Sequence, residues 1–166
     1  MGVLALGQLA TKKFENLNPG RIDDHSAIVA HERGEFGADH AEAGAWLADK
    51  WKLPKAFGAA IRHSHDADNL PADLDDEVKT LVRLVAVSGL LADIWIHPNA
   101  QTATRIAQET AQALLGIEPP AFEKVLANVN AKSESIGQFL DVPIGSKAEL
   151  TSVLDQAKET LLMLSL

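Results

Sequence analysis

A chain of 166 residues, 46% apolar and 5% aromatic, is long enough to bury one core of Leu, Ala, Val and Ile without staples, as one domain or one domain plus an appended helix. With no cysteine it excludes a disulfide framework and a thiolate zinc site, which suits a reducing cytoplasm. A formal charge of −8 excludes a general nucleic-acid binder, since phosphate neutralisation needs clustered Lys and Arg, and no basic stretch suggests an anionic membrane surface.

The start, Met1 to Ala10, is apolar but lacks the basic opening and small-residue cleavage site of a signal peptide. The longest apolar run, Leu81 to Ile96, is interrupted by Arg83 and Asp93 and is too short to span a bilayer. A cytoplasmic protein is the expectation. Periodicity predicts helix almost throughout, with no sustained alternation of apolar and polar residues, so the fold class is all-α. Breaks are expected at Asn18-Pro19-Gly20, Arg33-Gly34, Leu53-Pro54, Leu70-Pro71, His97-Pro98, Glu118-Pro119-Pro120 and Val142-Pro143. Gly34-Glu35-Phe36-Gly37 reads as a short loop between helices.

A helix over residues 39 to 51 brings His40, Gly44, Leu47 and Trp51 within about 60° of one another, with Glu42 and Asp49 opposite. Gly44 costs helix stability, and its use is to let a neighbouring backbone approach closely. His40 therefore points inward at a tight helix crossing. The next helix has Pro54 in its first turn. Its inward face holds Phe57, Ile61, Ser64 and His65, while Arg62 and His63 point away. Val78 to Trp95 is apolar on nearly every side and reads as a central helix surrounded by the others. Asn99 or Thr102 opens the following helix, which closes near Leu115 with Gly116 as a left-handed cap. Ala121 to Leu140 is one more.

The last segment repeats Leu150, Leu154, Ala157, Leu161 and Leu164 at intervals of four, three, four and three. That spacing fits a short coiled-coil seam and an amphipathic packing helix equally well.

Two readings of the histidines stay open. Imidazole and carboxylate ligands suit Fe, Mn, Zn or Ni, and a divalent ion turns bound water into a nucleophile for a phosphoester. The order His40, His65, Asp66, Asp93 is similar to the order of ligands in HD-type phosphohydrolases. Against this, Asp66 stands about 100° around a helix from His65, so both reach one ion only if the helix ends between them. Asp93 lies in the apolar helix, where a buried carboxylate needs some partner, metal or not. The other reading makes His40 and His65 hydrogen-bonded core residues. His25, His31 and His63 read as solvent-facing or capping, and His97 as a helix terminus where a cation meets the dipole favourably. No thiol nucleophile, phosphate-cradling glycine loop or Gly-x-Ser-x-Gly turn is present.

The stretch Phe36-Gly-Ala-Asp-His40-Ala-Glu-Ala-Gly44-Ala-Trp-Leu-Ala48, then Trp51-Lys-Leu-Pro54, then Ala60-Ile61 and its His-rich end, resembles the HDOD family, the HD-related output domain of bacterial signalling proteins. The likeness extends more loosely to about residue 140. It implies an all-α fold related to HD phosphohydrolases and a regulatory or output role. Two departures stand out. Ser64 replaces the first of two adjacent histidines common in the family, and His65 matches the second. Gly2-Val-Leu-Ala-Leu6 looks like the piece that follows the HD dipeptide of the related enzymes, which implies that the N-terminal part of the domain is missing. Leu154 to Leu166 resembles the connecting helix that leads into a GGDEF diguanylate cyclase domain in some members.

The expectation is thus an HDOD-like helical domain over residues 1–143 and a connecting or coiled-coil-like helix over 144–166. Its role would be non-catalytic, exerted through protein contacts in bacterial signalling, with no metal and no cofactor. Partners would be an adjacent signalling domain such as GGDEF or a second copy paired through the C-terminal helix, with no nucleic acid and no membrane. The rival is a metal-dependent phosphohydrolase acting on a nucleotide or cyclic dinucleotide, with Fe, Mn or Mg held by His40, His65, Asp66 and Asp93. A third reading is a purely structural dimerisation module built on the terminal helix.

Overall fold

The structure, a computed structural model, describes residues 2–9, 25–140 and 146–166. Among these, regular structure is helical throughout, as the periodicity requires. The helices are α1 (Gly2–Leu9), α2 (His25–Phe36), α3 (His40–Lys50), α4 (Lys55–Arg62), α5 (Asp76–Ile96), α6 (Ala100–Leu115), α7 (Pro119–Leu140) and α8 (Lys147–Leu164). The breaks expected at Asn18-Pro19-Gly20 and Val142-Pro143 lie outside the described residues, as does the side chain of His25. The chain divides into two compact units, Met1–Ala86 and Val87–Leu166, with the division inside α5.

In the first unit α3 packs against α1 on one side and α4 on another. The crossing is tight because glycine meets backbone. A methyl group on Gly2 would fall on the carbonyl oxygen of His40, and one on Gly44 would lie 2.9 Å from Ile61 Cγ2 and 3.5 Å from the nitrogen of Gly2. The close approach expected of Gly44 is what the structure has. It also decides which face of α3 is inside. At such short range only small residues fit, so Ala41, Gly44, Ala45 and Ala48 are buried, and Trp51, expected inward, is 54% exposed. Phe57 of α4 is likewise 53% exposed, because Ala60 takes the buried position.

Both ends of α3 are fixed by side chains and turns. Asp39 and Glu42 form a capping box, the Glu42 amide donating to Asp39 Oδ1 at 2.9 Å and the Asp39 amide to Glu42 Oε2 at 3.1 Å. The C-terminus closes in a Schellman turn: Leu53 N–H donates to the Ala48 carbonyl and Lys52 N–H to that of Asp49, each at 2.9 Å. Lys52 adopts φ +54 there, where glycine is usual.

Two expectations need correction. Arg33-Gly34 does not break the chain: α2 runs on to Phe36, and Gly37, at φ +74, makes the turn instead. A single glycine costs a helix about 1 kcal/mol, too little to end one, whereas a left-handed residue ends it outright. Nor is α5 surrounded. Val82, Val87 and Ile94 are buried, but Leu84 is 50% and Ile96 77% exposed. Apolarity on every side does not force burial when each packed face needs only one stripe.

In the second unit α8 packs against both α6 and α7. The core holds Val87, Ile94, Ala103, Ala107, Ala111, Phe122, Leu126, Leu154, Ala157 and Leu161. Asn99 caps α6 by accepting from the Thr102 amide at 2.9 Å, and Gly116 closes it at φ +67, both as the sequence predicts. Ser146 and Glu149 form the capping box of α8. Of the leucine seam, Leu154, Ala157 and Leu161 pack within the unit, and Leu164 is 39% exposed. Among the described residues, no helix is long and apolar enough to cross a membrane.

Candidate functional site

Glu32, His40 and His65 meet in the first unit. Glu32 sits on α2, about two turns along it, and its side chain has no exposed surface. His40 is the first residue of α3, and its side chain is 12% exposed. His65 lies in the turn beyond α4. One carboxylate oxygen, Glu32 Oε2, accepts from the His40 amide at 2.9 Å and from His40 Nδ1 at 2.6 Å. A carboxylate at a helix N-terminus satisfies an otherwise orphaned N–H and complements the dipole. Glu32 thus clamps the start of α3 through main chain and side chain together.

The second ring follows from the first. With the carboxylate oxygen accepting, the donor in this short contact is His40 Nδ1–H. His40 Nε2 stands 2.8 Å from His65 Nε2, and the rings are edge to face, with centroids 4.7 Å apart and planes at 73°. Two nitrogens at that distance share one proton, one ring donating and the other accepting. A relay from carboxylate to imidazole to imidazole results. Glu32 Oε1 is buried with no hydrogen-bond partner, which makes the group costly to keep and sensitive to any change around it.

Asp39 supports the clamp from beside it. Its carboxylate is 1% exposed and pairs with Arg33 Nη2 at 2.7 Å. Burial pushes its pKa up, but the Glu42 amide, the Arg33 guanidinium and the Ala41 amide outweigh burial and hold it below the ordinary value.

The structure joins His40 to His65, as the sequence directs, but His65 is exposed rather than sealed in apolar surroundings, and His63, expected at the surface, is half-buried. The cause is the same for both. Regular helix ends at Arg62, so the helical angles that sorted these two residues no longer apply. Asp66 is exposed and accepts from Asn69 Nδ2 at 2.9 Å, fastening its own turn. Asp93 is half-buried in the second unit. His31 is exposed, and His97 follows α5 with Nδ1 2.9 Å from the Asn99 amide nitrogen. Among the described residues, no group of three or more His, Asp or Glu side chains is placed to hold a metal ion.

Sequence reasoning missed Glu32. A lone glutamate gives no periodic signal, and reading Gly34 as a break hid that its helix continues towards His40. The capping pair Asp39-x-x-Glu42 was legible as a D-x-x-E signature and marks where the helix starts.

An all-helical unit with a buried carboxylate holding a histidine pair defines the class of module. Comparison adds a family likeness: the HDOD domain model matches residues 1–67, the stretch that carries Glu32, His40 and His65. No curated protein and no solved structure matches the chain.

Proposed function

We propose that this chain is a non-catalytic HDOD regulatory or output module of bacterial signal transduction, acting through protein contacts in the cytoplasm. The observation that carries the reading is the 2.8 Å contact between His40 Nε2 and His65 Nε2. Two imidazole nitrogens on one tetrahedral ion, at about 2.1 Å each, stand about 3.4 Å apart. Here they are hydrogen-bonded to each other instead, and the remaining ring nitrogen of His40 is held by Glu32. Asp66, the next ligand of the rival reading, is turned to Asn69. The histidines work as a latch between the start of α3 and the turn after α4. Output runs through α8, whose last turn exposes Leu162 and Met163 to a partner, a GGDEF domain or a second copy.

Purified protein loaded with Mn or Fe and then desalted tests this reading. The expected result is no stoichiometric metal by elemental analysis and no turnover of a generic phosphodiester. One or two metal equivalents lost in His40→Ala and His65→Ala, or turnover lost in Asp66→Asn, overturns it in favour of a metal-dependent phosphohydrolase.

A further inference from the structure

The stretch from Trp46 to Phe57 has an unusual surface for so acidic a chain. It carries Lys50, Lys52 and Lys55 against a single acid, Asp49. It also exposes Trp46 at 56%, Trp51 at 54%, Leu53 at 45% and Phe57 at 53%. Lys50 Nζ lies 5.3 Å from the centre of the Trp46 ring, a cation–π contact that holds charge and apolar surface together. Among the described residues, no ion pair joins these three lysines to a carboxylate. Exposed tryptophans flanked by unpaired cations have the composition of an interface centre, where aromatic anchors dominate.

Lys52 sharpens the point. It occupies the Schellman position at φ +54, the one non-glycine residue with positive φ among those described. A side chain there is less favourable than glycine. The fold tolerates that strain and so presents an ammonium group at the tip of the turn.

Opposite chemistry lies twenty residues on in the same unit. Residues 66–77 carry Asp66, Asp68, Asp73, Asp75, Asp76 and Glu77 with no basic residue among them. All six are exposed, and half-buried Leu70 and Leu74 lie between them. The local cation is Lys79, which pairs with Asp76 at 3.6 Å. The basic and acidic stretches are thus both left unneutralised by one another within one chain. Every copy displays both.

We propose that the basic aromatic turn, Trp46 to Phe57, docks the acidic segment, Asp66 to Glu77, of a second copy of this chain. The lysines meet the aspartates, while Trp51 and Phe57 cover Leu70 and Leu74. A second copy also carries net charge −8, so the pairing rests on the local match of lysines to aspartates and of exposed aromatics to Leu70 and Leu74, and an anionic membrane or a nucleic acid offers the charge without those leucines. Complementary surfaces on one chain associate as a two-fold pair or head to tail. This surface is distinct from the end of α8, and the association stands or falls independently of the metal and turnover measurements.

Sedimentation velocity on the full chain in low salt tests it. The expected result is concentration-dependent association that weakens at least about tenfold at high salt, where screening shortens to a few ångströms. Lys50→Glu/Lys52→Glu/Lys55→Glu is expected to be monomeric, and so is Asp68→Lys/Asp73→Lys/Asp75→Lys. An equimolar mixture of the two variants is expected to associate again, which a folding defect cannot produce. Lys52→Gly, which relieves the strained turn, should raise thermal stability and weaken association together. A monomer at every concentration reached, or association unchanged in both charge-reversed variants, overturns the proposal. So does lysine-dependent capture on phosphatidylserine vesicles by a protein that stays monomeric.

Discussion

Glu32 spends one oxygen on two donors and leaves the other with none. The Oε2 atom holds both the amide and the ring of His40, while Oε1 is buried and unpartnered. Removing the charge without changing the shape therefore weakens two charge-assisted bonds at once. Glu32→Gln is expected to cost about 2 kcal/mol in chemical unfolding of the full chain. His40→Ala does something worse, because it leaves the carboxylate with a main-chain donor and no cation-capable partner. Its expected cost is about 3 kcal/mol or more. If Glu32→Gln proved the more damaging of the two, the carboxylate would owe its place to some group other than His40.

At the scale of the element, α3 is held at its start by Asp39, and that hold depends on pH. The folded carboxyl has a lowered pKa, because the Glu42 amide, Arg33 and the Ala41 amide prevail over burial. The folded state then binds fewer protons than the unfolded chain across the window below 3.8. Stability from this group is complete above that value and is lost as pH falls through the lower folded value. Thermal unfolding of Asp39→Asn should therefore show a shallower loss of stability on acidification than the parent, with a lower midpoint near neutrality. Equal acid slopes in the two proteins would remove Asp39 from the account.

The neighbouring residues Leu161 and Leu162 give α8 a similar internal control. Leu161 is 2% exposed and Leu162 66%. Leu161→Ala should cost about 3 kcal/mol through the cavity it leaves, and Leu162→Ala less than about 0.5. The reverse order, measured by denaturant unfolding, would mean that α8 packs through its other face.

Across the whole molecule, what the sequence made legible follows from which signals are local. Helix ends at Asn99 and Gly116 are written in one or two residues, and the structure has them there. Gly44 declared a close crossing because its cost had no other local reason. The direction of Trp51 and Phe57 was not local. It depended on how near α1 comes, and that distance is set by Gly2, forty-two residues before Gly44. Glu32 was illegible for the same reason, since nothing around it in sequence announces His40 as its partner.

The division of the chain gives the last expectation. The relay of Glu32, His40 and His65 belongs wholly to the first unit, and the cluster of Phe122, Leu126 and Leu161 wholly to the second. The residues of the relay and those of the cluster are different, each set within its own unit. Destabilisations at sites without shared partners add to within about 0.5 kcal/mol. The double variant His40→Ala/Leu161→Ala should therefore lose the sum of the two single losses in denaturant unfolding. Its second readout is hydrogen exchange, where His40→Ala should loosen amides in α3 and α4 and leave those of α6 and α8 protected. A coupling of more than about 1 kcal/mol, or exchange that rises in both units from the one substitution, would mean that the histidine latch governs the terminal helix directly. That is the linkage a signal passing from the first unit to α8 requires, so the double variant also measures how much of the proposed relay exists before any partner binds.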